Sequence, residues 1–442
     1  MKKLFLLGAM VCSLFLGAAA QDTLTVVQMR EDFTYMMEQY ERIHPNPMWS
    51  LGEERYKELK QQTLARLDHP MTQFDFWLII ARWNQYFDGH THVGWPTITP
   101  MPMGMMAFPP KSIVQYRDRK IYFSPYETLP DSLRGREIVA VGGHPSAEII
   151  DSIMPYVSHE SEAHVSNMIL KSLFWFYQAF YGYGPQLEFR YRTVDGEGVV
   201  TLDRRTVYNW IVQIGDRGEI GGVGVRDRPW SFQLFPEQGI ALFEFNSCGP
   251  NDKFEQFDTV VSNYIDSINH YGIKHLFVDI SHNVGGNDAF CRNFLCHIGG
   301  LPDTMVVMDV TDTEMGTIEN PGERRITMSF HPKQPQYSGN LYFIQSRFTY
   351  SASIFLVNLA KQYKLGTVIG EETSGLTTTY IRHNPVRLPH SGLKFYCSDK
   401  QNRYVGTNGP RGVMPDVPYE IGYKFLFRSF TVDELKQFIL SN

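Results

Sequence analysis

Three short stretches of this chain hold the residue types that acyl transfer requires. The first is Gln345-Ser346-Arg347-Phe348-Thr349-Tyr350-Ser351-Ala352-Ser353. It leaves an apolar run and enters a segment holding Phe355, Leu356 and Leu359, so Ser351 falls at a helix N-terminus. Free backbone N–H groups and the positive end of the helix dipole gather there, and both stabilise an oxyanion. On local sequence alone, the reading of Ser351 or Ser353 as a plain N-cap is the stronger one. The second stretch, Leu276-Phe277-Val278-Asp279-Ile280-Ser281-His282-Asn283-Val284-Gly285-Gly286-Asn287, is an apolar strand running into a polar loop. Its paired glycines either aim N–H groups at a substrate or simply turn the chain. The third, Asp88-Gly89-His90-Thr91-His92, offers imidazoles that titrate near neutrality and so suit a general base. Asp88, His90 and His92 are also metal-ligand types, but no HExxH-type partner motif accompanies them.

These residues need elements to hold them. Met29, Phe33, Met36, Tyr40 and Ile43 recur at helical steps over residues 27–44, and Pro45 and Pro47 end that stripe. Thr72 caps a second helix marked by Phe76, Ile79, Ile80, Trp83 and Phe87, which places Asp88-Gly89-His90 just beyond its end. Between about 100 and 205 proline and glycine become frequent, and short runs such as Ile121-Tyr122-Phe123 and Leu187-Glu188-Phe189-Arg190-Tyr191 predict a mostly β module, with a short helix at 145–156. From residue 239 apolar strands at 240–245, 275–280, 341–345 and 366–369 alternate with helices near 252–270, 288–297 and 352–363. That alternation predicts an α/β core.

Lys2 and Lys3, the apolar run Leu4 to Leu16 and the small residues Ala18-Ala19-Ala20 read as a signal peptide cleaved after Ala20, with no stable membrane anchor retained. Export is the expectation. Cys248, Cys291, Cys296 and Cys397 then remain, in a compartment where disulfides persist, without CxxC spacing or paired histidines that would suggest a zinc site. A net charge of -6 without any basic block argues against nucleic acid as a partner.

The order of these motifs resembles the tail-specific and C-terminal processing serine peptidases, the family that also includes the tricorn core protease and the hydrolase-like repeats of retinoid-binding protein. The resemblance spans about residues 27–420. It rests on Ile43-His44-Pro45-Asn46-Pro47, Asp88-Gly89-His90-Thr91, Ile138-Val139-Ala140-Val141-Gly142-Gly143, the Asp279–Gly286 and Thr349–Ser353 stretches, Val368-Ile369-Gly370-Glu371-Glu372-Thr373-Ser374-Gly375 and Gly412-Val413-Met414-Pro415-Asp416. It implies a crotonase-like spiral α/β catalytic core at 206–442, behind a signal peptide at 1–20, a helical segment at 21–100 and a β-rich, PDZ-like cap at 101–205.

By the same resemblance, Ser351 is the nucleophile, and the backbone N–H groups of Ala352 and of Gly285 or Gly286 form the oxyanion hole. Leu376 stands where one branch of the family has a lysine base, so His90 is the base, as in the tricorn-like branch. The family's third member is a carboxylate shortly before the Gly412–Asp416 stretch, but Thr407-Asn408-Gly409-Pro410-Arg411 holds none; Asn408 is expected to orient His90, with Asp416 and Glu372 as alternatives. Ser281 and Ile354 depart from the Arg and Glu often found at those positions. The expected function is an exported serine endopeptidase acting on peptides or proteins without metal or cofactor. A catalytically impaired homologue that binds peptides or small apolar ligands, and a small-ester hydrolase, are the alternatives.

Overall fold

The computed structural model describes residues 23–96, 113–125, 129–182, 186–203, 205–207, 228–313, 322–406, 410–421 and 429–440. The signal-peptide expectation at 1–20 and Asn408 lie outside them. Among the described residues, no helix is long and apolar enough to cross a membrane.

Helix α1 (Val26–Ile43) starts at a reciprocal capping box between Thr25 and Gln28 and buries Met29, Phe33, Met36 and Tyr40. It is followed by α2 (Glu53–Arg66) and α3 (Gln73–Ile80). The second helix expected to run through residue 87 instead tightens after Ile80 into a 3-10 segment, Ala81–Tyr86. In that segment Asn84 sits where its Oδ1 accepts the Val93 N–H at 2.7 Å. The chain then enters strand β1 (His92–Val93), so the Asp88–Thr91 turn is held from both sides.

The next region is built on β2 (Val114–Arg117), β3 (Lys120–Phe123), β4 (Glu137–Val141), β5 (His144–Pro145), β6 (Gln186–Thr193) and β7 (Gly196–Asp203). They form an antiparallel sheet. Helix α4 (Ser146–Ile153) meets the expectation of a short helix, but α5 (Glu162–Tyr181) had not been expected in a stretch read as mostly β. Its Val165, Ile169, Leu173 and Phe176 are buried in one core with residues of α1, α3 and the sheet.

The remainder alternates as expected. Strands β8 (Trp230–Phe235) and β9 (Ile240–Phe245) precede α6 (Phe254–His270), β10 (His275–Asp279) and α7 (Ala289–Cys296). The antiparallel pair β11 (Thr304–Asp312) and β12 (Gly322–Ser329) follows, then β13 (Asn340–Gln345), α8 (Ala352–Gln362) and β14 (Thr367–Gly370). Four short strands, β15 (Thr378–Ile381), β16 (Asn384–Arg387), β17 (Lys394–Cys397) and β18 (Lys400–Tyr404), lead to β19 (Val417–Pro418) and α9 (Val432–Leu440).

The central sheet has the order β19-β14-β13-β10-β9-β8, parallel except for β8 at its edge. Phe243, Val278 and Phe343 bury one face, while Leu242, Phe277 and Ile344 bury the other. A parallel sheet covered on both faces reads as continuous apolar runs, which is why these strands were legible. The four cysteines of residues 248–397 are free thiols, with the Cys248 and Cys291 sulfurs 3.4 Å apart.

Phe343 has no exposed surface and sits in the strand whose end leads to Ser351. Phe343→Ala should cost about 3–5 kcal/mol, the range for truncating a buried aromatic. Urea unfolding would measure it, and a loss well below that range would mean the sheet repacks around the gap.

Candidate functional site

Strands β10 and β13 are parallel neighbours in register, with Asp279 opposite Ile344. Loops that follow parallel strands emerge on one side of the sheet, the usual place for a site in α/β proteins. The two motif-bearing loops are stitched to each other. The Asn283 carbonyl accepts the Tyr350 N–H at 3.0 Å and the Ser353 hydroxyl at 2.7 Å, and Thr349 Oγ1 donates to the Ile280 carbonyl at 3.0 Å.

Ser353 is thus spent on structure and Ser351 is not. Ser351 occupies the cap position of α8 without making a capping bond, and its backbone lies at φ 55, ψ -124. A serine there is strained by about 1–3 kcal/mol. Gly285 makes the turn possible from the opposite loop, since a Cβ on it would stand 2.5 Å from Ser351 Cβ and 2.8 Å from the Ala352 nitrogen.

His90 comes from the other end of the chain. Strand β1 pairs antiparallel with β17, His92 opposite Tyr396, and carries the Asp88 turn to the end of β17. Asp88 is wholly buried, and its Oδ1 accepts the N–H groups of His90 (2.8 Å) and Thr91 (3.1 Å) and the Ser398 hydroxyl (2.9 Å). His44 Nε2 lies 3.2 Å from Oδ2, while the Asn46 N–H donates to His44 Nδ1 at 3.1 Å. With Nδ1 accepting, Nε2 carries the proton given to Asp88. Burial alone would raise the Asp88 pKa, but hydrogen bonds from His44 and Thr91 and the adjacent imidazoles outweigh it and hold the carboxyl below the usual range. The His44-Pro45-Asn46 motif therefore serves the histidine turn.

His90 Nε2 lies 3.4 Å from Ser351 Oγ. Its Nδ1 lies 2.9 Å from the Tyr350 hydroxyl and 3.6 Å from Glu160 Oε1. Glu160, its side chain 2 % exposed, precedes α5; it also accepts the Tyr350 hydroxyl (3.0 Å), the Thr379 hydroxyl (2.7 Å) and the Leu376 N–H (3.3 Å). Sequence reasoning sought a carboxylate near Asn408 and missed this one. Glu372 instead accepts the Gly412 N–H at 2.9 Å, and Asp416 pairs with Lys361 at 2.6 Å, so both alternatives are committed to structure elsewhere. Ser281 and Ile354 are both fully buried.

Of the two glycines, Gly285 has its N–H engaged by Asn283 Oδ1 at 2.8 Å. Gly286, with Ala352 and Ser351, lines a cavity of about 730 Å³ that also exposes His90, Tyr350 and His383. His383 stands at its rim, where desolvation and the neighbouring His90 and His92 hold it down at about 4. His92 stacks on Tyr396 at 4.8 Å between ring centroids and lies 5.8 Å from the His383 ring.

Among the described residues, one group, Asp88, His90 and Glu160, brings three ligand-type atoms within 4.8 Å of one another. Both carboxylates already accept N–H and O–H donors at each oxygen, so the set fits a hydrogen-bond network rather than a metal centre.

Residues 242–419 match the sequence profile of Peptidase family S41. The matched stretch runs from β9 to β19 and so takes in most of the central sheet and the Ser351 turn. No curated protein matches the chain significantly. Among solved structures, mature CPAF complexed with lactacystin superposes with a TM-score of 0.65 at 13% identity, covering 94% of this chain and 98% of that one. Mature CPAF alone gives 0.60 at 12% identity, covering 89% and 92%. At such identity the likeness shows a shared mixed α/β fold, extending well beyond residues 242–419. Family and fold together support the reading of the chain as a serine-type peptidase.

Because the folded-state pKa of Asp88 lies below its unfolded value of about 3.9, its contribution to stability is complete above that pH and is lost as pH falls toward the folded pKa. Asp88→Asn should cost about 2–4 kcal/mol at pH 7. In urea titrations the gap to wild type should narrow below pH ~4; a gap independent of pH would contradict the assignment.

Proposed function

We propose that this chain is an exported serine endopeptidase in which Ser351 is the nucleophile and His90 the base. One observation carries the reading: a serine on a strained strand-to-helix turn, free of capping duty, faces His90 Nε2 at 3.4 Å. Removal of the hydroxyl proton by His90 lets Oγ attack the carbonyl carbon of a peptide bond. The resulting oxyanion takes hydrogen bonds from the N–H of Gly286, in the loop after β10, and from the N–H of Ala352 at the start of α8, where the helix dipole also favours negative charge.

His90 is then an imidazolium, and the Glu160 carboxylate 3.6 Å from its other nitrogen offsets that charge. The same proton passes to the departing amine, and water bound in its place hydrolyses the ester on Ser351 by the reverse sequence. In this reading residues 1–20 are the exporting signal peptide, the central sheet belongs to a crotonase-like core at 206–442, and the β-rich unit at 101–205 is a PDZ-like cap beyond the helical segment 21–100. Glu160 would then come from the cap. The alternative of an impaired homologue rests on a missing carboxylate and on the departures at Ser281 and Ile354; Glu160, 3.6 Å from His90 Nδ1, speaks against the first of these grounds. No observation favours small esters over peptides.

Hydrolysis of fluorescently labelled casein tests the proposal. Ser351→Ala should lose about 10⁴-fold or more in kcat, and Glu160→Gln about 10²- to 10⁴-fold with the fold intact. Casein cleavage by purified Ser351→Ala at the wild-type rate would refute the assignment.

A further inference from the structure

Glu160 and His90 do not meet directly: the 3.6 Å between Glu160 Oε1 and His90 Nδ1 is too long for a good hydrogen bond. The Tyr350 hydroxyl bridges them, 2.9 Å from Nδ1 and 3.0 Å from Oε1. We propose that Tyr350 is a positioning residue of the site, its phenol being the hydrogen-bond link through which Glu160 fixes the tautomer and orientation of His90. The inference rests on the serine-peptidase reading and adds a member to it.

Proton counting gives the direction of the link. A carboxylate only accepts, so the single phenolic proton goes to Glu160. The phenol oxygen is left as an acceptor, and the atom facing it, Nδ1, must carry the hydrogen. In neutral His90 the lone pair is then on Nε2, facing Ser351, which is the tautomer a base needs. Burial first, then the charges of Glu160 and Asp88, push the Tyr350 pKa well above its ordinary value, so the phenol keeps the proton that the link requires.

Packing holds the same arrangement. The Tyr350 ring lies between His90 and His164, with centroid distances of 5.0 and 4.2 Å and interplanar angles of 21° and 26°. Two motif glycines leave it room. A Cβ on Gly89 would stand 2.3 Å from the Tyr350 hydroxyl, and one on Gly375 would stand 2.8 Å from Tyr350 Cδ2. Gly89 of the Asp-Gly-His stretch is therefore explained by a side chain far along the sequence. Since Tyr350 directly precedes Ser351, one short piece of backbone sets both the nucleophile and the partner of its base.

Tyr350→Phe keeps the ring and removes only the link. On labelled casein it should lower kcat by about 10- to 100-fold and leave KM within about twofold of wild type. Tyr350→Phe/Glu160→Gln should be no slower than the slower single variant, because each breaks one chain of bonds. In proton NMR, the downfield His90 Nδ1–H resonance, identified by its loss in His90→Asn, should be present in wild type and Ser351→Ala and absent in Tyr350→Phe. Wild-type kcat with the resonance retained in Tyr350→Phe, or multiplicative losses in the double variant, would overturn the proposal. An inactive wild type that still shows the resonance would overturn the peptidase reading and leave the link standing.

Discussion

The pairing of β10 with β13, parallel and in register, is the constraint on which the site depends. It forces the Asn283–Gly286 loop and the Thr349–Ser353 turn off the sheet together, close enough that any side chain at Gly285 would strike Ser351. Asn283 then works through three groups. Its Nδ2 donates to the Phe245 carbonyl, its Oδ1 accepts the Gly285 N–H, and its carbonyl accepts Tyr350 and Ser353. The strained Ser351 backbone persists because these bonds over-determine the turn.

Onto that fixed half the chain brings two others. The Asp88 turn arrives on β1, held by His44 and Ser398, and Glu160 arrives ahead of α5, held by Thr379 and Leu376. Three distant segments thus converge on the small volume beside Ser351. Each is fixed by donors outside the reacting groups, so orientation does not depend on a bound substrate.

The sequence made legible what is local. Ser351, His90 and the glycine pair stand in motifs whose chemistry is contained within a few residues, and the strands of the central sheet announce themselves by being apolar on both faces. Glu160 was not legible, since an acid before the N-cap Ser161 has no pattern of its own and acquires meaning only when α5 docks. Helix α5 was obscured by turn-rich neighbours that made its region read as β. That Asn283 already engages the Gly285 N–H and leaves the Gly286 N–H as the proposed donor is a feature of the folded loop and has no mark in the glycine pair itself. Tyr350 stood inside a quoted motif, yet its hydroxyl gained a role only from groups that folding brings to it.

The central claim is that one serine of the folded chain is activated by His90. Treating the folded protein with a fluorophosphonate and mapping the adduct by peptide mass spectrometry tests it most directly. The account predicts a single adduct on Ser351, formed far more slowly in His90→Ala. An adduct on a different serine, none on the folded wild type, or equal labelling of His90→Ala would contradict it.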